Sequence, residues 1–144
     1  MARFFGRYEH SLDVKGRVIL PARFRSSFDT VAYVTQHHDR CLALWTPAEF
    51  EVQLGAMEAK QGRSAADRNL ARVWASGAVE VELDRTGRVA LPAYLRQYAH
   101  LDGQVLVMGA IDRIELWNPT EWAARVAPAE SALSDPQPEE PEAG

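Results

Sequence analysis

Two short stretches of this chain carry the side chains best suited to chemistry, and they carry them at the same spacing. The first is Asp13-Val14-Lys15-Gly16-Arg17; the second is Asp84-Arg85-Thr86-Gly87-Arg88. An aspartate four residues before an arginine, with a glycine between them, suits a tight hairpin turn. There the carboxylate can hold the guanidinium in one orientation, and Gly16 or Gly87 supplies the positive φ that other residues avoid. An arginine presented on such a hairpin can donate bidentately to guanine O6 and N7 in the DNA major groove, which admits a two-stranded ribbon. Lysines and further arginines beside it would neutralise phosphates and make affinity sensitive to salt. Asp13 is itself acidic, so orienting Arg17 is its role rather than touching DNA.

The remaining candidates are weaker. His37, His38 and Cys41 superficially resemble metal ligands, yet one such cluster lacks the second half that zinc sites of this kind need. They read as a solvated loop beside a buried thiol. Glu80 and Glu82 alternate with Val79, Val81 and Leu83, as on the wet face of a half-buried strand. No Ser-His-Asp order, phosphate loop or dinucleotide fingerprint is found in the sequence. The expectation is therefore a protein that is not an enzyme, with no cofactor and no metal.

Both turns lie inside an internal repeat, which governs how the elements around them are read. Leu12 to Arg25 returns 71 positions later as Leu83 to Arg96, with nine of fourteen residues identical. Gly6 to Asp13 matches Gly77 to Asp84 at the same offset. Leu42 to Phe50 matches Ile114 to Trp122 at an offset of 72. Within a copy, a strand enters the turn and Arg17 to Leu20, or Arg88 to Leu91, returns from it. Pro21 and Pro92 then open short helices over Ala22 to Phe28 and Ala93 to Ala99. Further strands run through Val31 to Thr35 and Gln104 to Met108, and others end in Trp45 and Trp117. Thr46-Pro47-Ala48-Glu49 and Asn118-Pro119-Thr120-Glu121 each start a helix, with a capping side chain, proline at the first position and glutamate at the third. Only the Thr46 version fits the strict capping box.

The middle of the chain belongs to neither copy. Glu49 to Gln61 reads as helix, Gly62 interrupts, and Ser64 with Asp67 caps a second helix whose Leu70, Val73 and Trp74 form a core-facing stripe. A first repeat over residues 1–53, a helical connection over 54–76, a second repeat over 77–127 and a tail over 128–144 follow. The tail holds five acidic residues, no basic one and four of the eight prolines. It reads as disordered. Each copy has too few strands to hide its own apolar face. The fold class expected is mainly β with short helices (α+β): two repeats interleaved into one small pseudo-twofold barrel.

Net charge is −4, but without the tail 16 basic residues face 15 acidic ones. Residues 1–25 alone carry six basic residues against Glu9 and Asp13, whereas 72–96 carry four against three. The basic decoration therefore favours the first copy. Arg17 and Lys15 lead the candidate DNA contacts, followed by Arg3 and Arg7. Asp13, Gly16, Asp84, Gly87 and Arg88 are assigned to shaping the hairpins, and Arg23 and Arg25 are either contacts or simply solvated. No apolar run is long enough to cross a bilayer, and a single cysteine fits a reducing cytoplasm.

The paired Asp-x-x-x-Arg motifs, each followed by a strand and Leu-Pro-Ala, resemble the MraZ family of bacterial transcriptional regulators. The Gly-x-Tyr-Glu-His start and both Trp-x-Pro-x-Glu-aromatic ends belong to the same pattern, which covers residues 1 to about 127. The resemblance implies an AbrB-like swapped-hairpin barrel. It also implies binding to short direct repeats in the promoter of a cell-division and cell-wall gene cluster, a ring of eight or more subunits, and nucleoid association. DNA contact in the family is attributed to the first-repeat motif, which carries over to Arg17 with Lys15 beside it. Thr86 stands where the first copy has Lys15, which lowers the expectation of contact there. Two other readings stand beside the regulator. One is a self-assembling ring scaffold whose basic hairpin makes subunit contacts; the other, weaker, is an antitoxin-like partner.

Overall fold

The computed structural model of the chain describes residues 2–135. The first copy supplies strands β1 (Arg7–Ser11), β2 (Arg17–Ile19), β3 (Val31–Gln36) and β4 (Leu42–Trp45), with helix α1 (Ala22–Arg25) after β2. Helices α2 (Pro47–Gln61) and α3 (Ala65–Gly77) follow. The second copy repeats the plan with β5 (Val79–Glu82), β6 (Arg88–Ala90), α4 (Ala93–Tyr98), β7 (Gln104–Gly109) and β8 (Ile114–Trp117). Helices α5 (Pro119–Arg125) and α6 (Ala129–Ser134) complete it.

The strands flanking each turn do not form a ladder with one another. β1 pairs β7 and β5 pairs β3, both antiparallel and both between copies, while β2 pairs β6 as a separate two-stranded ribbon. The large sheet runs β1-β7-β8-β4-β3-β5, so each of its edge strands leads through a turn into one strand of the ribbon. This is a swapped-hairpin arrangement, α+β in class. Its register is symmetric: Tyr8 faces Val107 as Val79 faces Val34, and Val18–Val89 and Ala43–Glu115 lie on the pseudo-twofold axis.

The ribbon is held to the sheet by burial. Val18, Leu20, Phe24 and Phe28 of the first copy and Val89, Leu91, Leu95 and Leu101 of the second share one core with Val34, Leu42, Leu44, Val105, Val107, Ile114 and Leu116. A smaller cluster of Cys41, Leu106, Met108 and Trp117 lies on the opposite face of the sheet, under Trp122 of α5. Strand alternation sends successive side chains to these two faces.

Three expectations change. Leu70 is 39% exposed and Val73 58%, so the stripe on α3 reaches the core only through Ala71 and Trp74. No residue of α2 is buried, and the two helices stand as a hairpin against β3, anchored by Phe50 stacking between Tyr33 and Trp74. The apolar period is real, but a period states which face is apolar and not what covers it. Secondly, part of the acidic tail is helical: α6 forms from alanine-rich sequence that Pro128 can start, before the next proline at 136. Residues 136–144 lie outside those described. Thirdly, α1 spans only Ala22–Arg25 rather than reaching Phe28, whereas α4 nearly fills its expected span.

Candidate nucleic-acid interface

The two turns are built alike to within about a tenth of an ångström. Asp13 Oδ1 accepts the backbone N–H of Lys15 (2.9 Å) and of Arg17 (3.0 Å), while Oδ2 accepts Arg17 Nε at 2.7 Å. Asp84 repeats this with Thr86 N (2.9 Å), Arg88 N (3.0 Å) and Arg88 Nε (2.7 Å), and adds the Thr86 hydroxyl at 2.9 Å. Asp13 N–H donates to Arg17 O and Gly16 N–H to Asp13 O, closing the first turn; Asp84, Arg88 and Gly87 do the same in the second. These donors favour the ionised aspartates. Above all the Arg17 backbone N–H lowers the Asp13 carboxyl, and the Arg88 backbone N–H holds that of Asp84 well below the usual carboxylate range.

In each pair the carboxylate takes the guanidinium by Nε. The Nη groups of Arg17 and Arg88 have no protein acceptor among the described residues and remain available as a two-donor edge. That edge is the part of arginine that reads guanine.

Gly16 has φ +72° and Gly87 φ +80°, so each meets the conformational demand expected of it. Each also meets a second demand that no local pattern announces. A Cβ on Gly16 would lie 2.8 Å from Arg96 Cζ, and one on Gly87 would collide with Arg25. Arg25 and Arg96 are the repeat's last arginines, and each lies across the other copy's turn. Their Nε atoms donate to Leu20 O (2.8 Å) and Leu91 O (3.0 Å). Leu20 N–H in turn donates to Gly87 O, and Leu91 N–H to Gly16 O. Arg25 is therefore a half-buried brace between copies rather than a freely solvated residue. Arg23 extends over the Phe5 ring at 4.3 Å.

The ribbon's outer face follows from its register. Arg17 faces Ala90, Val18 faces Val89 and Ile19 faces Arg88. Both valines are fully buried, so Arg17, Ile19, Arg88 and Ala90 point away from the core. Lys15 and Arg85 are exposed in the turns at opposite ends. The structure thus brings together Lys15, Arg17, Asp13, Gly16, Asp84, Gly87 and Arg88 on one ribbon. It does not bring Arg3 or Arg7 there. Arg3 is exposed beside the bridge between Phe4 and Ile111. Arg7 extends to the other face of the sheet, with its Cζ 4.9 Å from the Trp122 ring centre and Nη2 3.6 Å from Glu130 Oε1.

The His37–Cys41 segment is separate again. Cys41 is buried, donates to His38 O and has its thiol pKa pushed up by burial. Among the described residues, no group of three or more His, Cys, Asp or Glu side chains is placed to hold a metal ion. No helix of the described residues is long and apolar enough to cross a membrane.

The same repeat pattern is found in known proteins. A family model described as "MraZ protein, putative antitoxin-like" matches residues 3–73 and again 74–140. The chain belongs to the MraZ family. It is 39% identical over 132 residues to a transcriptional regulator MraZ of a Nocardioides species, with 92% of each chain covered. It is 40% identical over 133 residues to that of Cutibacterium acnes, covering 92% of this chain and 93% of the relative. Against the MraZ regulator of Moorella thermoacetica it is 41% identical over 122 residues, or 83% of each chain. Both MraZ repeats thus map onto the interleaved halves seen here.

Proposed function

We propose that this chain is a transcriptional regulator that binds double-stranded DNA sequence-specifically through the first turn of its ribbon. Arg17 reads a guanine in the major groove and Lys15 takes a phosphate. The observation that carries this reading is the Arg17 guanidinium, braced by Asp13 at Nε with its Nη edge open on an outward ribbon face. The printed names of relatives at about 40% identity support the regulatory role.

A single turn makes too few phosphate contacts for tight binding, since affinity in such complexes rises with the number of charges neutralised. Several identical ribbons side by side would supply the deficit through effective concentration. The natural target is then a set of tandem promoter repeats, upstream of the protein's own cell-division and cell-wall genes, bound by a ring of eight or more subunits. Exposed Val52, Leu70 and Val73 on the α2–α3 hairpin favour self-association. Such a protein works in the cytoplasm, at the nucleoid.

The test is a mobility-shift titration on duplex DNA from upstream of the protein's own gene, at two salt concentrations, with particle size measured in parallel. Arg17→Ala and Lys15→Ala should lose binding while particles keep their size. Loss of assembly with unchanged affinity per particle would instead favour the scaffold reading.

A further inference from the structure

We propose that the cavity between the α2–α3 hairpin and the sheet is a binding site for a small planar aromatic carboxylate. The site is separate from the ribbon and does not depend on the DNA-binding reading.

The cavity arises from how the hairpin is anchored. Phe50, in the first turn of α2, stacks on Tyr33 at 4.3 Å and on Trp74 at 5.5 Å, which fixes that end of the hairpin against β3. Gln53, Met57 and Lys60 follow Phe50 at steps of three, four and three residues, and so share its helical face. Beyond the stack these residues border a cavity of about 210 Å³. Trp45 of β4, Trp74 of α3 and Tyr98 of α4 give it aromatic walls. Leu70 and Val73, the part of the α3 stripe that misses the core, line it as well. The apolar stripe therefore has a counterpart in these walls.

Size limits the ligand. An apolar cavity of about 150 Å³ takes up benzene. The larger space here has room for one ring with a compact substituent.

Charge selects the substituent. No Asp or Glu is among the lining residues, and Lys60 brings a permanent positive charge. The Tyr98 hydroxyl donates to His37 O at 2.6 Å, the Trp45 indole to Thr35 Oγ1 at 2.8 Å and the Gln53 amide to Glu49 Oε1 at 3.2 Å. Those groups are engaged within the protein. The Lys60 ammonium and the Gln36 amide line the same cavity with no side-chain partner among the described residues. An ammonium and an amide beside aromatic walls suit a carboxylate on a flat ring. Aromatic walls also hold cations, but Lys60 opposes one here. A nucleotide exceeds the space and brings more charge than one lysine offsets.

Leu70 and Val73 are 39% and 58% exposed and belong to the patch proposed for self-association. The experiment therefore uses the assembled full chain, with particle size measured throughout. Benzoate, benzamide and benzylamine are titrated in the millimolar range, and binding is read by saturation-transfer NMR of the small molecule. Benzoate should bind saturably, with benzamide weaker and benzylamine weakest. Lys60→Gln should weaken benzoate roughly tenfold while leaving benzamide unchanged, the signature of a lost charge-assisted hydrogen bond. Val73→Trp, which fills the cavity from its exposed rim, should abolish binding of both. Each variant is checked for native melting, and should Val73→Trp fail to fold, the benzoate–benzamide contrast in Lys60→Gln decides alone. No saturable binding of benzoate refutes the site, as does binding that neither variant alters. Benzylamine binding as well as benzoate refutes the ligand class. If benzoate does not bind and both variants change particle size, the cavity is a contact between copies of the chain and the proposal is overturned.

Discussion

His37 is packed among groups that oppose its protonation. Burial and the Arg113 guanidinium lower its pKa from 6.5 to about 4, outweighing the pull of Glu115, whose Oε2 lies 3.7 Å from His37 Nε2. At neutral pH the imidazole is therefore neutral, and its approach to Glu115 is not an ion pair. Glu115 instead receives Arg113 Nε at 2.8 Å and Trp117 Nε1 at 2.9 Å, which satisfies a carboxylate on the pseudo-twofold axis opposite Ala43. The sign of the stability effect follows. In the unfolded chain His37 takes up a proton near pH 6.5, whereas in the folded chain it does so near pH 4. Across that window the unfolded state binds more protons, so stability falls as pH falls. The loss from this group reaches on the order of 2–3 kcal/mol by pH 4. Urea unfolding of wild type and His37→Gln at pH 7, 6 and 5 should show a steeper decline in wild type; parallel curves would remove His37 as the cause. Asp13 and Asp84 have depressed values, so their stabilisation is present at neutral pH and is lost only at lower pH, as acid titrates them in the folded state.

At the scale of elements, capping shows how local chemistry sets helix starts. Thr46 Oγ1 accepts Glu49 N–H at 3.2 Å, and Asn118 Oδ1 accepts both Thr120 N–H (2.8 Å) and Glu121 N–H (3.1 Å). The Glu49 carboxylate does not return to Thr46 but receives the Gln53 side chain at 3.2 Å, so only half of the expected capping box forms. Asn118 does more than its counterpart, since its Nδ2 also donates to His100 O at 2.7 Å, tying the start of α5 to the loop after α4. Asn118→Ala should cost about 1–2 kcal/mol and Thr46→Ala about 1 kcal/mol in denaturant unfolding. Equal losses would mean that the His100 tie contributes nothing. Caps, turns and strand alternation were legible in the sequence because a few adjacent residues decide them. The cover over Leu70 and Val73 was not legible, because it depends on where a helix hairpin lands. The arginine braces over Gly16 and Gly87 were hidden for a similar reason. Arg25 and Arg96 look like surface residues on short helices until the other copy's turn is placed beneath them. The signal was the repeat itself, which keeps an arginine at that position in both copies while Arg23 and Phe24 become Tyr94 and Leu95.

At the scale of the whole molecule, neither copy is an independent unit. Among the described residues, β1 finds its ladder only in β7, β2 only in β6, β5 only in β3, and β4 joins β8 across the axis. The repeat made two interleaved halves legible, but pairing partners lie some hundred residues apart in β1 and β7 and no local pattern encodes them. The consequence is testable with residues 1–63 alone. That fragment keeps the β3–β4 ladder and loses every other pairing of its strands. Val18, Leu20, Phe24, Phe28, Val34, Leu42 and Leu44 would be left without the second-copy residues that bury them. A monomeric fragment should therefore be unfolded. Two fragments can nevertheless pair as the two copies do, because the core positions of the repeat are alike and the axis would bring Ala43 against Ala43, with no carboxylate to bury. Folding of the fragment should then depend on concentration, with strand signal in circular dichroism appearing together with a dimer in light scattering. A fragment that folds as a monomer at the lowest measurable concentration would show that one copy holds its own core, and the interleaving would then be a consequence of the fold rather than its cause.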